Sequence, residues 1–412
     1  MSHVLEAAAR GTSPLPADPA ATPQPRLIHA VILLITSGLT VLVTAILGPS
    51  LPMMQRHFAD VPNAEYLVPL TMTVPMLMMA VFSIFIGLLS DRIGRKRLLV
   101  ASTALYGLFG TAPLYLDSLA AIVASRVALG LMEAVLMVVS TTMIGDYWSG
   151  AKRQRLMSLQ VTVSAVSAFL LNNLGGLIAE HGWRAPYAVY AVSLVLAPLM
   201  AIFLWEPLAR SASGQVLAQQ EDVPFRPRLL AGICAIGVLT GLVFLVVPVH
   251  FGYLFGALGV QSPAQIGMAY GLNSLGVIAG TLLFGWVLAR RLTVPLLLGV
   301  AGAIAAAGFL LMKSADTYAA LAGAGMLNGV GCGILLPTMV TWTMRSLPLA
   351  KRGLGNGAYQ SALFLGMFVN PVVVVALQGP GGSRAAAVAT VGGVLGVLAL
   401  IALAVGGLQR RR

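Results

Sequence analysis

Residues 87–97 read Gly87-Leu-Leu-Ser-Asp91-Arg92-Ile-Gly94-Arg95-Lys96-Arg97. The charged part of this stretch lies between two segments, 66–90 and 98–116, that contain no Asp, Glu, Lys or Arg. Each segment is long enough to cross the hydrocarbon core as a helix, which takes about 20 residues. The stretch therefore predicts a short basic loop between two transmembrane helices.

The composition of the whole chain is also strongly apolar. Of its 412 residues, 58% are apolar and 9% are charged, whereas a soluble domain has about 25% charged residues. These values exclude a water-soluble fold and indicate a helical protein of the lipid bilayer, because a β-barrel needs short alternating segments. The net charge of +12 comes from short basic runs between apolar segments. That pattern is typical of membrane topology, so no nucleic-acid partner is expected.

Segments without charged residues give the number of helices. Nine of them are long enough to cross the membrane: 27–55, 66–90, 98–116, 156–179, 185–205, 292–312, 317–344, 353–383 and 385–409. Segment 229–289 is interrupted by turn-forming residues between 256 and 263, which predicts two crossings. Segment 118–145, with two charges, supplies the twelfth. The predicted fold class is an all-α membrane protein with twelve transmembrane helices.

The basic residues also predict the orientation. Of the 25 Lys and Arg, twenty lie in the termini and in loops on the N-terminal side, and four lie in loops on the other side. The positive-inside rule therefore places both termini in the cytoplasm, with the chain in the inner (plasma) membrane. The predicted domains are a disordered tail (1–26), a six-helix bundle (27–205), a cytoplasmic linker (206–228), a second six-helix bundle (229–407) and a basic tail (408–412).

The two halves of the chain share small residues at matching positions. Gly87 corresponds to Gly285 at an offset of 198 residues, and Gly130 corresponds to Gly329 at an offset of 199. Parallel repeats of this kind predict two pseudo-symmetric bundles that rock about a site near the middle of the membrane.

The stretch 87–97 resembles the loop motif of the major facilitator superfamily. In that motif a Gly, three residues, Asp-Arg, one residue, Gly and two basic residues join helices two and three, and every fixed position agrees here. The resemblance covers the chain after residue 26. It implies a monomeric secondary transporter that binds a small-molecule substrate and protons and works by rocker-switch alternating access. No cofactor or metal is expected.

The same loop is the predicted gating latch. Its glycines allow a neighbouring helix to approach closely, and the Asp91 carboxylate can bind free N–H groups at the start of helix eleven. Arg92 and Arg95 are candidates to pair with Asp146, and the resemblance implies that this cluster closes the outward-facing state. The alternative is that the basic residues only enforce topology. The predicted latch residues are Gly87, Asp91, Arg92, Gly94, Arg95, Lys96, Asp146, Gly355 and Gly357.

Helix four carries two charges, Arg126 and Glu133, inside its predicted membrane segment. A charge at the bilayer centre costs about 2.5–3.5 kcal/mol on insertion scales, so such residues usually face a cavity or a partner. A spacing of seven residues places both on one helix face. The resemblance associates Arg126 with proton coupling, and Glu133 is the candidate to carry the proton. The alternative is a structural pair that orders helix packing.

Other polar residues within the helices are candidates to line a substrate cavity. Each of them has the alternative of a hydrogen bond in helix packing. His250, at the end of helix seven, is expected in solvent. The predicted cavity residues are Thr40, Asn172, Asn173, Tyr270, Asn273, Asn328 and Tyr359.

Two short sequences resemble the drug and proton antiporters of the superfamily. They are the helix-one sequence Leu47-Gly48-Pro49-Ser50-Leu51-Pro52 and the turn Gly182-Trp183-Arg184. Helix five keeps Gly175-Gly176 of the antiporter pattern but has Asn172-Asn173 where a Gly-Pro is usual. The resemblance implies proton-driven export of a small amphiphilic organic molecule, a drug or a self-made metabolite such as a siderophore. The alternative is an importer, symporter or facilitator of organic acids. No catalytic motif is present, so an enzyme is not expected.

Overall fold

The computed structural model describes residues 24–207, 225–348, 351–379 and 381–411. Nearly all of these residues are helical. Within the described ranges the α-helices are α1 (Leu27–Leu39), α2 (Leu42–Ile46), α3 (Leu51–His57), α4 (Ala64–Ile93), α5 (Arg95–Thr111), α6 (Leu119–Tyr147), α7 (Gly150–Ala179), α8 (Val192–Phe203), α9 (Pro227–Ala257), α10 (Pro263–Leu283), α11 (Ala289–Arg291), α12 (Val294–Ser314), α13 (Tyr318–Ser346), α14 (Arg352–Gln378) and α15 (Arg384–Arg411).

These helices form twelve crossings in the described part of the chain. Ten segments are long and apolar enough to span a membrane, and an eleventh is the pair Leu27–Leu39 and Leu42–His57, bent by 49°. The twelfth is α5, which is shorter, with 17 residues, and begins with three basic ones. The prediction of an all-α protein with twelve transmembrane helices is confirmed.

The two halves make the same helix contact at equivalent positions. A Cβ added at Gly130 of α6 would collide with the backbone of Pro75 in α4, and one at Gly329 of α13 would collide with the carbonyl oxygen of Asn273 in α10. Pro75 and Asn273 are 198 residues apart, close to the offset of 199 between the two glycines. Small residues let the helices approach closely in both bundles.

Two domain boundaries differ from the predicted ones. Helix α9 begins at Pro227, two residues earlier than predicted, because proline is well suited to the first position of a helix. Helix α15 continues to Arg411, so residues 408–411 of the predicted basic tail extend the last helix. Arginines are favourable at a helix C-terminus. The predicted tail 1–26 lies outside the described residues except for 24–26, and so does most of the linker.

The loops lie on two faces of the bundle. The face that contains the Gly94 loop, between α4 and α5, is the motif face. Helices α7 and α9 end at the other face, the opposite face. On the motif face, a Cβ added at Gly87 of α4 or Gly357 of α14 would have no neighbour within 4 Å.

The halves contact each other through α7 and α10 and through α4 and α14, and the hydrogen bonds between them lie toward the opposite face. The carbonyl oxygen of Pro248 in α9 would be 2.9 Å from a Cβ added at Gly48. In the described ranges, all hydrogen bonds between the halves join the end of α7 to α10 or to the residues just before α10. The conformation is therefore closed at the opposite face.

Candidate functional site

A cavity of about 290 Å³ lies between the two halves. Helices α2, α4, α6 and α7 bound it from the first half, and α9, α10 and α14 bound it from the second. Its volume is near the lower end of the range for small-molecule sites, about 300–1,000 Å³. The lining residues are Thr40, Val41, Thr44, Ala45, Met76, Met79, Glu133, Met137, Ala165, Ala168, Asn172, Phe244, Pro248, Tyr270, Asn273, Ser274, Val277, Ile278, Phe364 and Met367.

Glu133 is the one charged residue among those that line the cavity in the described part of the chain. Its side chain is fully buried, and neither carboxyl oxygen has a hydrogen-bond partner among the described residues. An ionised carboxylate without a partner in an apolar interior is costly. The group is therefore placed where a proton, a cation or a hydrogen-bond donor that enters the cavity can bind it.

Arg126 is also fully buried, but it does not line the cavity. Its Nη2 group donates hydrogen bonds to the carbonyl oxygens of Phe109 and Gly110 at the end of α5. The guanidinium lies 5.2 Å from the ring centre of Tyr187 and 5.4 Å from that of Tyr190, distances at which a cation is attracted to an aromatic face. Backbone dipoles and ring faces thus stabilise the charge.

The two charges of α6 do not form an ion pair within the described residues. Seven residues separate them by about 10 Å along the helix axis, and the guanidinium is held by α5 and by the segment before α8. In this conformation each of the two side chains therefore has separate surroundings, and proton coupling and a structural role both stay predictions for them.

Four of the predicted cavity residues, Thr40, Asn172, Tyr270 and Asn273, line the cavity. The Asn172 amide donates to Ser274 of the other half at 3.1 Å and to the carbonyl oxygen of Ala168 at 2.9 Å. The Tyr270 hydroxyl binds the backbone of α9, and the Asn273 amide binds the carbonyl oxygen of Gly325. These side chains order helix packing and also face the cavity.

The other three predicted cavity residues, Asn173, Asn328 and Tyr359, do not line it. Asn173 donates to the carbonyl oxygen of Phe169 within its own helix. Asn328 is buried and donates to Ala305 inside the second half. Tyr359 is fully buried, and its ring lies beside Gly237 of α9. The structure does not place these three side chains at the wall of this cavity; Asn173 and Asn328 bind backbone carbonyl groups instead.

His250 is fully buried rather than in solvent, which corrects the expectation for it. Its Nε2 lies 3.2 Å from Oδ1 of Asn370, and the Asn370 amide donates to the carbonyl oxygen of Leu242. Because that bond fixes the orientation of the amide, Nε2 of His250 is the donor. The pair joins α9 to α14 within the second half.

The predicted latch residues lie at the motif face, and three of them, Asp91, Arg95 and Asp146, contact one another within the first half. Arg95 pairs with Asp91 at 2.9 Å and with Asp146 of α6, whereas Arg92 forms no ion pair among the described residues. The Asp91 side chain is 63% exposed, and none of its hydrogen bonds in the described ranges reaches α14. The predicted contact between Asp91 and the start of the eleventh crossing, α14, is absent from this conformation, in which Gly87 of α4 and Gly357 of α14 both have open space.

The predicted latch glycines differ in their surroundings. Gly355 is packed against Leu347 of its own half, and Gly357 has open space. Gly94 has a φ of +100°, which side chains rarely adopt, and this turn separates α4 from α5.

One functional contact at this face was not predicted. The Glu206 carboxylate, at the start of the linker, accepts hydrogen bonds from the backbone N–H groups of Arg95 and Lys96. It therefore caps the N-terminus of α5, a place that favours a negative charge. Its position directly after the sixth predicted helix was the available signal. The apolar side chains of the cavity wall, such as Met137 and Phe364, gave no signal because membrane helices are apolar on every face.

The sequence is similar to those of known membrane transporters. A family model described as Major Facilitator Superfamily matches residues 33–371. The chain is 22% identical over 265 residues to the uncharacterized MFS-type transporter YdgK of Bacillus subtilis (strain 168), covering 58% of this chain and 63% of that protein. It is 28% identical over 162 residues to the arabinose-proton symporter of Escherichia coli (strain K12), covering 39% and 33%. The matched part of the chain thus spans less than two thirds of the length of each of these two relatives.

The fold is shared with a solved transporter. The crystal structure of a D-xylose-proton symporter superimposes with a TM-score of 0.72 at 16% identity, over 91% of this chain and 96% of that one. At 16% sequence identity, this similarity shows only that the fold is shared. Since the family match spans most of the sequence and the fold agrees, this chain belongs to the Major Facilitator Superfamily.

Proposed function

We propose that this chain is a proton-coupled exporter of a small amphiphilic organic molecule that is neutral or cationic. The observation that carries the proposal is Glu133, a titratable group in a cavity between two halves that contact each other toward one face. In alternating access, such a cavity opens first to one side of the membrane and then to the other. The carboxyl group then binds a proton on one side and releases it on the other.

The charge of the cavity wall supports the choice of substrate. No Lys, Arg or His is among its lining residues in the described ranges, and the Arg126 guanidinium is directed to α5 and to two tyrosines. An anion would therefore meet Glu133 without a compensating cation. Methionine and phenylalanine side chains suit apolar molecules of varied shape. A lipophilic drug or a self-made metabolite such as a siderophore fits this wall if it carries no net negative charge.

Export rests on the antiporter-like sequences at Leu47–Pro52 and Gly182–Arg184 and on Gly175-Gly176 in α7. The second candidate is proton symport, because the arabinose-proton symporter is among the relatives and the D-xylose-proton symporter shares the fold. The two candidates differ in the direction of proton movement: in antiport, substrate and proton cross in opposite directions.

The experiment uses the purified chain in proteoliposomes with an imposed pH difference. The probes are a permanent cation, (3-phenylpropyl)trimethylammonium, and a matched anion, 3-phenylpropionate. We expect the cation to accumulate in the more acidic compartment and the anion to stay at its level in protein-free liposomes. Accumulation in the more alkaline compartment would favour symport, and uptake of the anion instead of the cation would contradict the proposed substrate class.

The proposed orientation can be tested separately. A reporter fused after Arg210 is expected on the cytoplasmic side, and one inserted near Gly182 is expected outside, because twenty Lys and Arg lie on the first side and four on the second. Activity of cytoplasmic and periplasmic reporters measures this. Reversal of either signal would refute the orientation.

The proposed latch at the motif face gives another prediction. If Asp91 binds the start of α14 when the motif face closes, Asp91→Asn keeps the shape but removes the charge that the helix dipole favours. Transport is expected to fall severalfold while membrane abundance stays near normal. The matched control is Asp60→Asn, an exposed aspartate in a loop of the opposite face. Unchanged transport in Asp91→Asn would leave topology as the role of this loop.

A further inference from the structure

Helices α7 and α10, from different halves, meet along a seam of small and polar residues. Asn172, Gly176 and Glu180 are spaced four residues apart, so they lie on one face of α7 and its C-terminal cap. Opposite them, in antiparallel order, are Ser274, Gly267 and Ser262. The seam runs from the cavity wall to the opposite face.

The middle of the seam brings the two helix backbones close together. A Cβ added at Gly176 would lie 2.9 Å from Cα of Gly267, and a Cβ at Gly267 would lie 2.8 Å from the carbonyl oxygen of Asn172. Any side chain at either position would force the halves apart. The absence of Cβ atoms here is what lets the halves meet.

The outer end of the seam is held by Glu180. Its Oε1 accepts a hydrogen bond from the Ser262 hydroxyl at 2.6 Å and another from the Ala264 N–H at 3.0 Å. The N–H groups in the first turn of a helix lack partners within the helix, and the helix dipole favours an anion there. A carboxylate of the first half therefore caps a helix of the second half.

Glu180 is ionised at neutral pH, and its hydrogen bonds favour the ionised form further. The Ser262 hydroxyl, the Ala264 N–H and the charge of neighbouring His181 lower the pKa of the carboxyl below its ordinary value. The contact is therefore present above the ordinary pKa of a carboxyl and is lost as the pH falls through the lowered value.

We infer that the seam between α7 and α10 is the gate that closes the cavity at the opposite face, with Glu180 as its latch. The inner end of the seam is the Asn172–Ser274 hydrogen bond, and both of these residues line the cavity. The gate and the cavity wall thus share residues. Glu180 is a positioning residue: it lies outside the cavity and acts on the distance between the halves.

The test measures that distance without substrate or a pH gradient, so its result is independent of the proposed function. Spin labels are placed at the exposed Asp60 and Ser383, one in each half at the opposite face, after the native Cys234 and Cys332 are replaced. Double electron–electron resonance in nanodiscs then gives the populations of short and long distances. The matched control is Glu65→Gln, an exposed acidic residue of the same face.

Glu180→Ala is expected to raise the long-distance population about two- to fivefold, a change in the range of solvent-exposed contacts. Glu180→Gln should have a smaller effect, because an amide oxygen still accepts hydrogen bonds but carries no charge. Asn172→Ala should shift the populations in the same direction as Glu180→Ala. Combining Glu180→Ala with Ser262→Ala should add little to the single changes, since both remove the same contact.

Gly267→Ala provides a second route that leaves Glu180 in place. It should also favour the long distance, whereas Gly256→Ala, at a position of α9 with open space, should not. Populations in Glu180→Ala and Gly267→Ala that equal those of their controls would overturn the inference. Melting temperatures of all variants verify that the folded protein is being measured.

Discussion

Glu133→Gln is expected to abolish uphill transport in proteoliposomes while downhill exchange of the same substrate continues. The substitution removes the titratable proton but nearly keeps the volume and hydrogen-bonding capacity of the side chain. Under a pH difference of one unit, a one-for-one exchange sustains at most about tenfold accumulation of a neutral substrate. We expect this accumulation in the parent protein and a ratio of about one in the variant, because its substrate movement no longer requires a proton.

The measurement compares accumulation against a gradient with counterflow of labelled substrate in the same vesicles. Glu65→Gln is the control, since it removes an exposed carboxyl group outside the cavity. If Glu133→Gln still accumulates substrate against its gradient, the proton is carried elsewhere. His250, buried beside Asn370, would be the next group to test.

The helices and the loop motif could be predicted from the sequence because the membrane requires apolar segments of fixed length. The same argument located Glu133, since a carboxyl group inside such a segment needs a cavity or a partner. The repeat offset likewise relates two equivalent helix contacts: Gly130 packs against Pro75 in the first half, and Gly329 packs against Asn273 in the second. Each of these predictions depends on residue type and sequence spacing alone.

The partners of the polar side chains could not be predicted in the same way. Asn172 faces the cavity and Asn173 does not, although they are adjacent in one helix, because the position of α10 decides which of them is at the cavity wall. His250 has a position near a helix end that is typical of a solvated residue, yet Asn370 of α14 lies beside it. Glu180 lies between two charge-free segments, and its partner is 82 residues away. Contacts between distant helices carry no local signal.

Arg126→Lys is expected to destabilise the protein rather than uncouple it. The planar guanidinium donates to two carbonyl oxygens at the end of α5 and lies over the rings of Tyr187 and Tyr190. Lysine keeps the charge, but it has a single ammonium group on a flexible stem and cannot reproduce a planar, multidentate arrangement. A hydrogen bond to a charged group contributes about 1.5–3 kcal/mol, so losing one of the two carbonyl contacts should lower the free energy of unfolding by about that amount.

The test of this prediction pairs thermal unfolding in nanodiscs with transport measured per folded molecule. We expect Arg126→Lys to lower the melting temperature and membrane abundance, while the surviving protein keeps its accumulation ratio. Arg184→Lys is the matched control, because Arg184 also lies over an aromatic ring, that of Trp183, but at the partly exposed opposite face. This control should lower the melting temperature less.

The double variant of Arg126→Lys with Glu133→Gln should combine both effects additively, since the two side chains form no ion pair. An Arg126→Lys variant with an unchanged melting temperature and a lost accumulation ratio would contradict this assignment and make the arginine part of the coupling machinery.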